Sequence, residues 1–420
     1  MLITLLAAGS RGDTQPYIAL GVELQKSGYT VRIAASEAFE DLIKSCGLEF
    51  YPLLGNVSKI ADNDKLRQAM SADNPLKVIM SFNTMKNYAY SLQQGFYDAC
   101  QGSDAIVYHP GAVIGYFIAQ TLDISSILAT PFPMIPTKTY PALIFYNSVR
   151  LGKTFNLLTH ILFQKIRWLI SKAPIKQFWK DKFGSIPRNF IDPFSQLQSE
   201  NNLTLVACSN YVFPKPQNWS KEVHNTGYWF LDEDDYWSPP DKLSEFLLAG
   251  TPPVYVGFGS LGNPAKATQT TELIIDALQL SGQRGILATG WGGMTKLNKT
   301  SQDIFIIESV PHAWLFPKMS VVVHHGGAGT TAAALRACVP SILIPHANDQ
   351  FAWGKKVYEL GVGAKPIPRK KLTVEKLSAA ISYALKKEVK VAAKTLGAKI
   401  QRENGVKVAA KLIIDFLKQK

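Results

Sequence analysis

The feature that most constrains the fold is an alternation of short apolar strands with amphipathic helices, which occurs twice along the chain. In the first half, apolar runs at 2–8, 30–35 and 48–53 are separated by helical segments, and the pattern resumes at 105–108 and 124–129. Continuous apolar runs of this length are typical of strands buried on both faces. The alternation therefore predicts an α/β protein with doubly wound parallel sheets.

The second half repeats the pattern after an acidic, proline-ended segment that begins LDEDDYWSPP. Further apolar strands follow at 253–257, 285–289, 304–307, 320–323 and 341–344. Because two complete sets of strands and helices are present, we expect two domains. The predicted division is an N-terminal domain over 1–230, a linker over 231–250 and a C-terminal domain over 251–395.

Composition narrows the class of protein. Hydrophobic residues make up 46% and charged residues 18% of the chain, which excludes a disordered or coiled-coil protein. The formal net charge of +13 suits nucleic acid, anionic lipid or a phosphorylated ligand, and does not choose among them. No apolar run reaches the ~18 residues of a membrane-spanning helix, and the four cysteines form no CxxC pair. We expect a cytoplasmic protein that is soluble or peripherally attached to a membrane.

A glycine-rich segment, HHGGAGTT at 324–331, follows an apolar strand and opens a helix. Glycines let the backbone approach a ligand closely, and the free N–H groups of a helix start suit a diphosphate. The segment is neither GxGxxG nor a P-loop, so neither a dinucleotide nor ATP is favoured. Taken alone, it could also be a tight strand-to-helix turn.

The wider context of this segment carries a family resemblance. Residues 309–354 resemble the nucleotide-sugar signature of the UDP-sugar glycosyltransferases of families 1 and 28, most closely the sterol glucosyltransferase and antibiotic glycosyltransferase branch. The segments at 9–34, 254–261 and 288–293 resemble the same group, in the same order. The resemblance implies the GT-B fold, in which two Rossmann-like domains face each other across a cleft. It also implies that a helical segment over 396–420 packs back on the N-terminal domain.

The resemblance further implies a set of donor-binding residues. The loop after the strand would hold the diphosphate, the segment 310–312 would take the uracil, and the Asp-Gln pair would bind the sugar hydroxyls. The predicted donor-binding residues are Ser260, Val310, His312, His325, Gly327, Ala328, Gly329, Thr330, Asp349 and Gln350. Asp349 could instead be the N-cap of a helix. Ala334 and Cys338 stand where glycine is usual in such stretches.

Asp13 is the candidate general base. It lies on a glycine-flanked loop after the first strand, at the strand end where α/β sheets bind ligands, and a carboxylate there could take the proton of an acceptor hydroxyl. In the branch that the sequence resembles, the matching aspartate is the expected base. The other interpretation of Asp13 is a helix-capping or turn acid. Ser10, Arg11 and Gly12 are candidate phosphate or loop contacts.

No metal site is predicted. The DEDD run at 232–235 could suggest a metal-binding DxD motif, but its place in a proline-ended linker favours a solvated segment. Four histidines, His109, His160, His224 and His346, are scattered singly, which is more typical of structural than of catalytic side chains.

The stretch 150–188 interrupts the alternation with an amphipathic helical pattern that carries nine Lys or Arg residues and one acid, Asp181. Such a basic helix with apolar and aromatic residues suits an anionic membrane surface. The alternative is a helix pair that covers the acceptor domain, and both could hold at once. Nucleic acid is disfavoured because no known binding module accompanies the charge.

Taken with these features, the resemblance implies an inverting, metal-independent transferase that moves a sugar, with glucose from UDP-glucose as the expected donor, to a hydroxyl of a sterol or another lipid. The alternatives are transfer to a soluble polyketide or other small aglycone, or a non-catalytic relative that only binds nucleotide sugars.

Overall fold

The computed structural model describes residues 1–53, 86–147, 151–196, 202–232, 237–258, 267–290, 302–346 and 349–419. The chain divides into two compact units. Unit 1 comprises Met1–Leu231 with Asn404–Lys420, and unit 2 comprises Asp232–Glu403. Residues 396–401, which the sequence analysis assigned to the returning C-terminal segment, belong to a helix of unit 2.

The core of unit 1 is a parallel sheet of seven strands in the order β3-β2-β1-β4-β5-β6-β7. The strands are β1 Leu2–Leu6, β2 Thr30–Ser36, β3 Glu49–Leu53, β4 Ala105–Tyr108, β5 Ser125–Thr130, β6 Thr204–Val206 and β7 Val223–Asn225. Strand β1 pairs with β2 on one side and with β4 on the other, so the chain direction across the sheet reverses between β1 and β4. Ligands of open α/β sheets bind at such a switch point, beyond the carboxyl ends of the strands.

Helices cover both faces of this sheet. They are α1 Arg11–Lys26, α2 Glu40–Ser45, α3 Lys86–Ala99, α4 Ile114–Leu122, α5 Lys153–Phe183, α6 Pro193–Gln196 and, from the end of the chain, α14 Gly405–Lys418. Helix α14 packs on the same apolar core as α1, through Ala409 and Ile413. Gly405 lets α14 begin close to the segment around Tyr228, because a Cβ there would lie 2.4 Å from the Tyr228 carbonyl oxygen.

Unit 2 has a parallel sheet of five strands in the order β10-β9-β8-β11-β12. The strands are β8 Val254–Gly257, β9 Gly285–Ala288, β10 Ile304–Ile307, β11 Val321–His324 and β12 Ser341–Leu343. The helices are α7 Asp241–Leu248, α8 Ala267–Leu280, α9 His312–Leu315, α10 Ala328–Arg336, α11 Gln350–Glu359, α12 Val374–Ala384 and α13 Lys387–Gln401. The switch point here lies between β8 and β11.

The prediction of an α/β chain with two doubly wound parallel sheets is confirmed. The basic stretch differs from the predicted helix pair: Lys153–Phe183 is one helix of 31 residues that contains Pro174. Residues 241–248 of the predicted linker are helical, because Leu243 buries its side chain in a core cluster of unit 2. Among the described residues, none of the helices has the length and apolar character needed to cross a membrane.

Candidate active site

The first candidate site lies at the switch point of unit 1, where α1 begins after β1. Asp13 was expected on a loop, but it is the third residue of α1, with Ser10 as N-cap. Its Oδ2 accepts hydrogen bonds from the Ser10 backbone N–H at 2.8 Å and from the Ser10 hydroxyl at 2.9 Å. Because the carboxylate satisfies an otherwise free N–H group, the helix already begins at Arg11, within the segment expected to be a loop.

Gly9 is required for this arrangement. A Cβ at position 9 would lie 2.3 Å from Oδ2 of Asp13, and the backbone φ of Gly9 is +139°. Ser10, Arg11 and Gly12 form the exposed first turn of α1, and the Arg11 Nε donates to Oε1 of Gln15 at 3.4 Å. Asp13 therefore does cap the helix, as its alternative interpretation held. Its side chain is nevertheless 30% exposed, so a substrate could still contact it.

His109 is the neighbour of Asp13 that sequence reasoning set aside as structural. It follows β4 directly, and its Nε2 lies 3.7 Å from Oδ1 of Asp13. Its Nδ1 accepts the Gly111 N–H at 2.9 Å. Because Nδ1 serves as an acceptor, the neutral ring carries its proton on Nε2, the nitrogen that faces the carboxylate.

The electrostatic setting keeps Asp13 ionised. Burial raises the pKa of Asp13, whereas His109 and the hydrogen bonds from Ser10 lower it, and the net pKa lies below the ordinary aspartate value of 3.8. Tyr17 packs beside this pair. Its ring centroid lies 5.8 Å from that of His109, and its hydroxyl donates to the Ala129 carbonyl at 2.5 Å. At neutral pH Asp13 is therefore a carboxylate that can accept a proton.

The second candidate site lies at the switch point of unit 2, where β11 leads into α10 through the glycine loop. Gly326 has a φ of +96°, and its N–H donates to Nδ1 of His324 at 3.1 Å. Gly327 is the N-cap of α10, followed by Ala328, Gly329 and Thr330 as its first three residues. The N–H groups at a helix start have no carbonyl partner within the helix, so this end of α10 can bind an anion.

His325 lies over the start of α10. A Cβ at position 327 would lie 2.7 Å from Nε2 of His325, so only glycine at that position lets the ring take this place. Burial lowers the pKa of His325 to about 4, and its Nδ1 forms no hydrogen bond within the described residues. The ring is therefore neutral at pH 7 and available as a hydrogen-bond donor next to the free N–H groups of the helix.

The segment predicted to take the base leads into α9. Val310 and Pro311 are partly buried, and Pro311 is the N-cap of the helix. The ring of His312 stacks on Phe316, with centroids 4.3 Å apart, and meets the edge of Tyr255. Because the His312 side chain packs against Phe316 and Tyr255, we expect the backbone of 310–312, and not this side chain, to contact a base.

The structure brings the Asp-Gln pair against the glycine loop. A Cβ at Gly326 would lie 3.1 Å from the Gln350 carbonyl oxygen. Asp349 is the N-cap of α11, and its Oδ2 accepts from the Trp353 indole N–H at 3.2 Å. Oε1 of Gln350 accepts the His346 N–H at 2.8 Å, which links Gln350 to the end of the segment that follows β12.

The predicted phosphate contact and the acidic DEDD run include residues that the structure does not describe. Ser260 and the pair Asp234 and Asp235 are not among the described residues. Asp232, the first acid of the DEDD run, forms an ion pair with Arg336 at 2.6 Å. No cluster of three or more His, Cys, Asp or Glu side chains suited to a metal occurs in the part of the chain that the structure describes.

His109 and His324 were not predicted as site residues from the sequence. A signal for both exists in the strand pattern: each histidine stands at the carboxyl end of the strand that pairs with the first strand of its sheet. Each is followed two positions later by glycine.

The comparisons with known proteins agree with this architecture. Residues 3–141 match the glycosyltransferase family 28 N-terminal domain, and residues 285–412 match the C-terminal domain of erythromycin biosynthesis protein CIII-like proteins. Among solved structures, the glycotransferase of kitacinnamycin superposes with a TM-score of 0.73 at 20% identity over 99% of both chains. The calicheamicin glycosyltransferase CalG4 gives 0.68 at 16% identity, over 99% of this chain and 98% of that one.

The curated relatives are more similar in sequence. A sterol 3-beta-glucosyltransferase of Arabidopsis thaliana is 34% identical over 99% of this chain and 66% of its own length. A sterol 3-beta-glucosyltransferase of Neurospora crassa is 34% identical over 98% of this chain and 27% of its own length. The UDP-sugar-dependent glycosyltransferase 52 of Dictyostelium discoideum is 34% identical over 99% of this chain and 26% of its own length. The chain thus spans less than two thirds of these relatives.

Fold and site define an α/β protein of two units, each with one parallel sheet and a candidate site at its switch point. The chain carries a glycosyltransferase family 28 N-terminal domain and an erythromycin CIII-like C-terminal domain, and its two parallel-sheet units have the GT-B fold.

Proposed function

We propose that the protein transfers glucose, with inversion at the anomeric carbon, from UDP-glucose to the hydroxyl of a sterol or a similar hydrophobic alcohol. The observation that carries the proposal is the carboxylate of Asp13. It is ionised, partly exposed and held by Ser10 and His109 at the switch point of unit 1. The sterol and the UDP-sugar are taken from the names of the relatives, which are similar over nearly the whole of this chain.

In this mechanism the acceptor binds in unit 1 and Asp13 takes the proton of its hydroxyl. The acceptor oxygen then attacks the anomeric carbon from the face opposite the diphosphate, and UDP leaves with the bonding electron pair. Taking the proton as the new bond forms avoids a free alkoxide, and general base catalysis of this kind contributes roughly 10²–10⁴-fold.

Unit 2 would hold the donor. The diphosphate would meet the N–H groups of residues 327–330 and the ring of His325, which together stabilise the charge that develops on the leaving group. The backbone of 310–312 would take the uracil, Ser260 would reach the phosphates, and Asp349 with Gln350 would bind the sugar hydroxyls. Ser10, Arg11 and Gly12, exposed at the start of α1, remain proposed as phosphate or loop contacts.

The test is an incubation of the purified chain with UDP- and dTDP-sugars and a sterol and lipid extract, read by mass spectrometry. We expect a hexose to be added to a sterol with UDP-glucose as donor. Donor hydrolysis without a glycosylated lipid would contradict the sterol acceptor and direct the search to soluble aglycones. Tight UDP binding with neither product nor hydrolysis would contradict catalysis itself.

We also propose that helix α5 is the surface by which the protein meets an anionic membrane. Its outward side carries three exposed leucines, Leu158, Leu162 and Leu169, with exposed fractions of 57%, 49% and 67%. Their spacing of 4 and 7 residues places them on one line of the helix. Exposed lysines continue that side toward the end of the helix, at Lys172, Lys176 and Lys180. Apolar insertion combined with basic charge is the pattern of helices that lie in a membrane interface.

A vesicle co-sedimentation assay tests this surface, with phosphatidylcholine vesicles that contain or lack phosphatidylserine. Changing Lys172, Lys176 and Lys180 to Gln should weaken binding to the anionic vesicles about 100-fold, since each lysine near such a surface adds about 1 kcal/mol. The matched control changes Lys387, Lys390 and Lys394 to Gln, three exposed lysines of α13. Equal binding by both variants would contradict the proposal.

A further inference from the structure

Arg167 joins helix α5 to the turn that contains His109. Its Nη2 donates to the Pro110 carbonyl oxygen at 2.8 Å. Pro110 follows His109 directly and begins the short turn Pro110–Ala112, within which the Gly111 N–H is bound by His109. The guanidinium and the imidazole therefore hold the same turn from two sides.

The described surroundings of Arg167 are mostly apolar. Its guanidinium lies over the ring of Phe194 at 4.1 Å, and its Nη1 is 4.0 Å from the Met134 sulfur. Within the described residues, no carboxylate lies close enough to form an ion pair with it, and Asp192 acts only at longer range. Burial lowers the pKa of Arg167 to about 10.

A partly buried cation such as the Arg167 guanidinium lowers the stability of the folded protein unless other contacts compensate. A charge withdrawn from water and not paired with an opposite charge costs free energy, and apolar residues of similar volume are often neutral or stabilising in its place. Apolar packing against Phe194 and Met134 does not require a cation, whereas the hydrogen bond to the Pro110 carbonyl requires a donor. Among the described contacts, this bond is the one that an apolar side chain could not make.

We propose that Arg167 is a positioning residue, which fixes the turn at 109–111 and through His109 orients the carboxylate of Asp13. The inference rests on the proposed role of Asp13 as the base. Without Arg167 the Pro110 carbonyl loses this donor, and the described contacts that remain to His109 are the Gly111 hydrogen bond and the edge of Tyr17. The separation of 3.7 Å between His109 and Asp13 is then less firmly fixed.

Two variants, R167M and R167K, test this role against a matched control. R167M keeps the apolar contacts and loses the donor, whereas R167K keeps a donor of similar reach. The control is R284M in unit 2. Arg284 lies over Phe246 at 4.2 Å and donates to the Thr251 carbonyl at 3.0 Å, which is the same kind of contact away from Asp13.

The measurements are kcat, the KM for the donor, the pH profile of kcat/KM, the Kd for UDP and the thermal midpoint. R167M should lower kcat about 10- to 100-fold, the scale expected when a catalytic group is misplaced by about 1 Å. The KM and Kd should stay unchanged, because the described contacts of Arg167 include none of the residues proposed to bind the donor. R167K should recover part of the loss. R284M should lower the thermal midpoint and leave kcat unchanged.

A merely structural role would give a different result. R167M would then lower the thermal midpoint and lose kcat only in proportion to the unfolded fraction, as would R167K, and that outcome overturns the inference. Should R167M fail to fold, the pH profile of R167K decides: an acid limb identical to that of the wild type overturns the inference. A wild-type chain that transfers no sugar would overturn the proposed function as well, whereas an active wild type with an equally active R167M overturns this inference alone.

Discussion

The two units place a histidine at the same topological position and use it in the same backbone turn. His109 in unit 1 and His324 in unit 2 each end or follow the strand that pairs with the first strand of the sheet. In both, Nδ1 accepts the N–H of the glycine two residues later, at 2.9 Å in unit 1 and 3.1 Å in unit 2. Each histidine thus closes the turn that leads the chain into its site.

The two turns differ in what the second ring nitrogen meets. Nε2 of His109 faces the carboxylate of Asp13. Nε2 of His324 is buried and has no hydrogen-bond partner among the described residues. Burial, together with His325 and His312, lowers the pKa of His324 well below 6.5. The same histidine–glycine turn thus occurs beside the carboxylate proposed as the base in unit 1 and without a neighbouring carboxylate among the described contacts of His324 in unit 2.

The largest expected effect comes from removing that carboxylate. D13N should lower kcat roughly 10²–10⁴-fold, because the amide cannot take the proton of the acceptor. Single-turnover transfer measures the loss, and calorimetry with UDP should show unchanged affinity, since the proposed diphosphate site lies in unit 2. A variant with near wild-type turnover would remove Asp13 from the mechanism and make the two turns equivalent.

The next effect is expected at His109. Both H109L and H109N should lower kcat about 10-fold or more, because neither side chain carries a group that reaches Asp13. His109 lowers the pKa of Asp13, so its removal should raise that pKa and move the acid limb of the kcat/KM profile to higher pH. Full activity in H109N, whose amide oxygen can still accept the Gly111 N–H, would mean that only the turn matters.

The smallest effect is expected at His324, where the turn alone is used. H324L loses the acceptor for the Gly326 N–H and should weaken UDP binding about 5-fold, the equivalent of one hydrogen bond of about 1 kcal/mol. H324N keeps an acceptor at the same position along the side chain and should restore the affinity. Failure of the asparagine to restore it, measured by calorimetry, would assign a role to Nε2.

The same pair of variants has a pH signature in stability. The pKa of folded His324 lies below its ordinary value of 6.5, so the unfolded chain binds a proton that the folded chain does not. The wild-type free energy of unfolding should therefore fall as the pH drops below about 6.5, and less steeply in both variants. Urea unfolding at pH 7 and pH 5 measures the difference. Equal slopes would show that His324 is not held neutral.

Part of the fold followed from local pattern. Apolar runs and glycine positions located the strands, and the strand–glycine–helix order located the anion site at 324–331. Cys338, which stands where related stretches have glycine, adopts a φ of +63°, so the backbone keeps the glycine conformation despite the substitution. Asp13 was expected on a loop but lies in the first turn of α1, because its carboxylate accepts the Ser10 N–H and caps the helix.

The sequence by itself determined the two sheets, the glycine loop and the place of Asp13 after the first strand, since periodicity and turn chemistry act over a few residues. Only the tertiary structure decided that His109 meets Asp13 and that Arg167 holds the turn between them. These contacts join parts of the chain that are far apart in sequence. They exist because β1 and β4 are neighbours at the switch point and because α5 packs as one helix against the loop that follows β4.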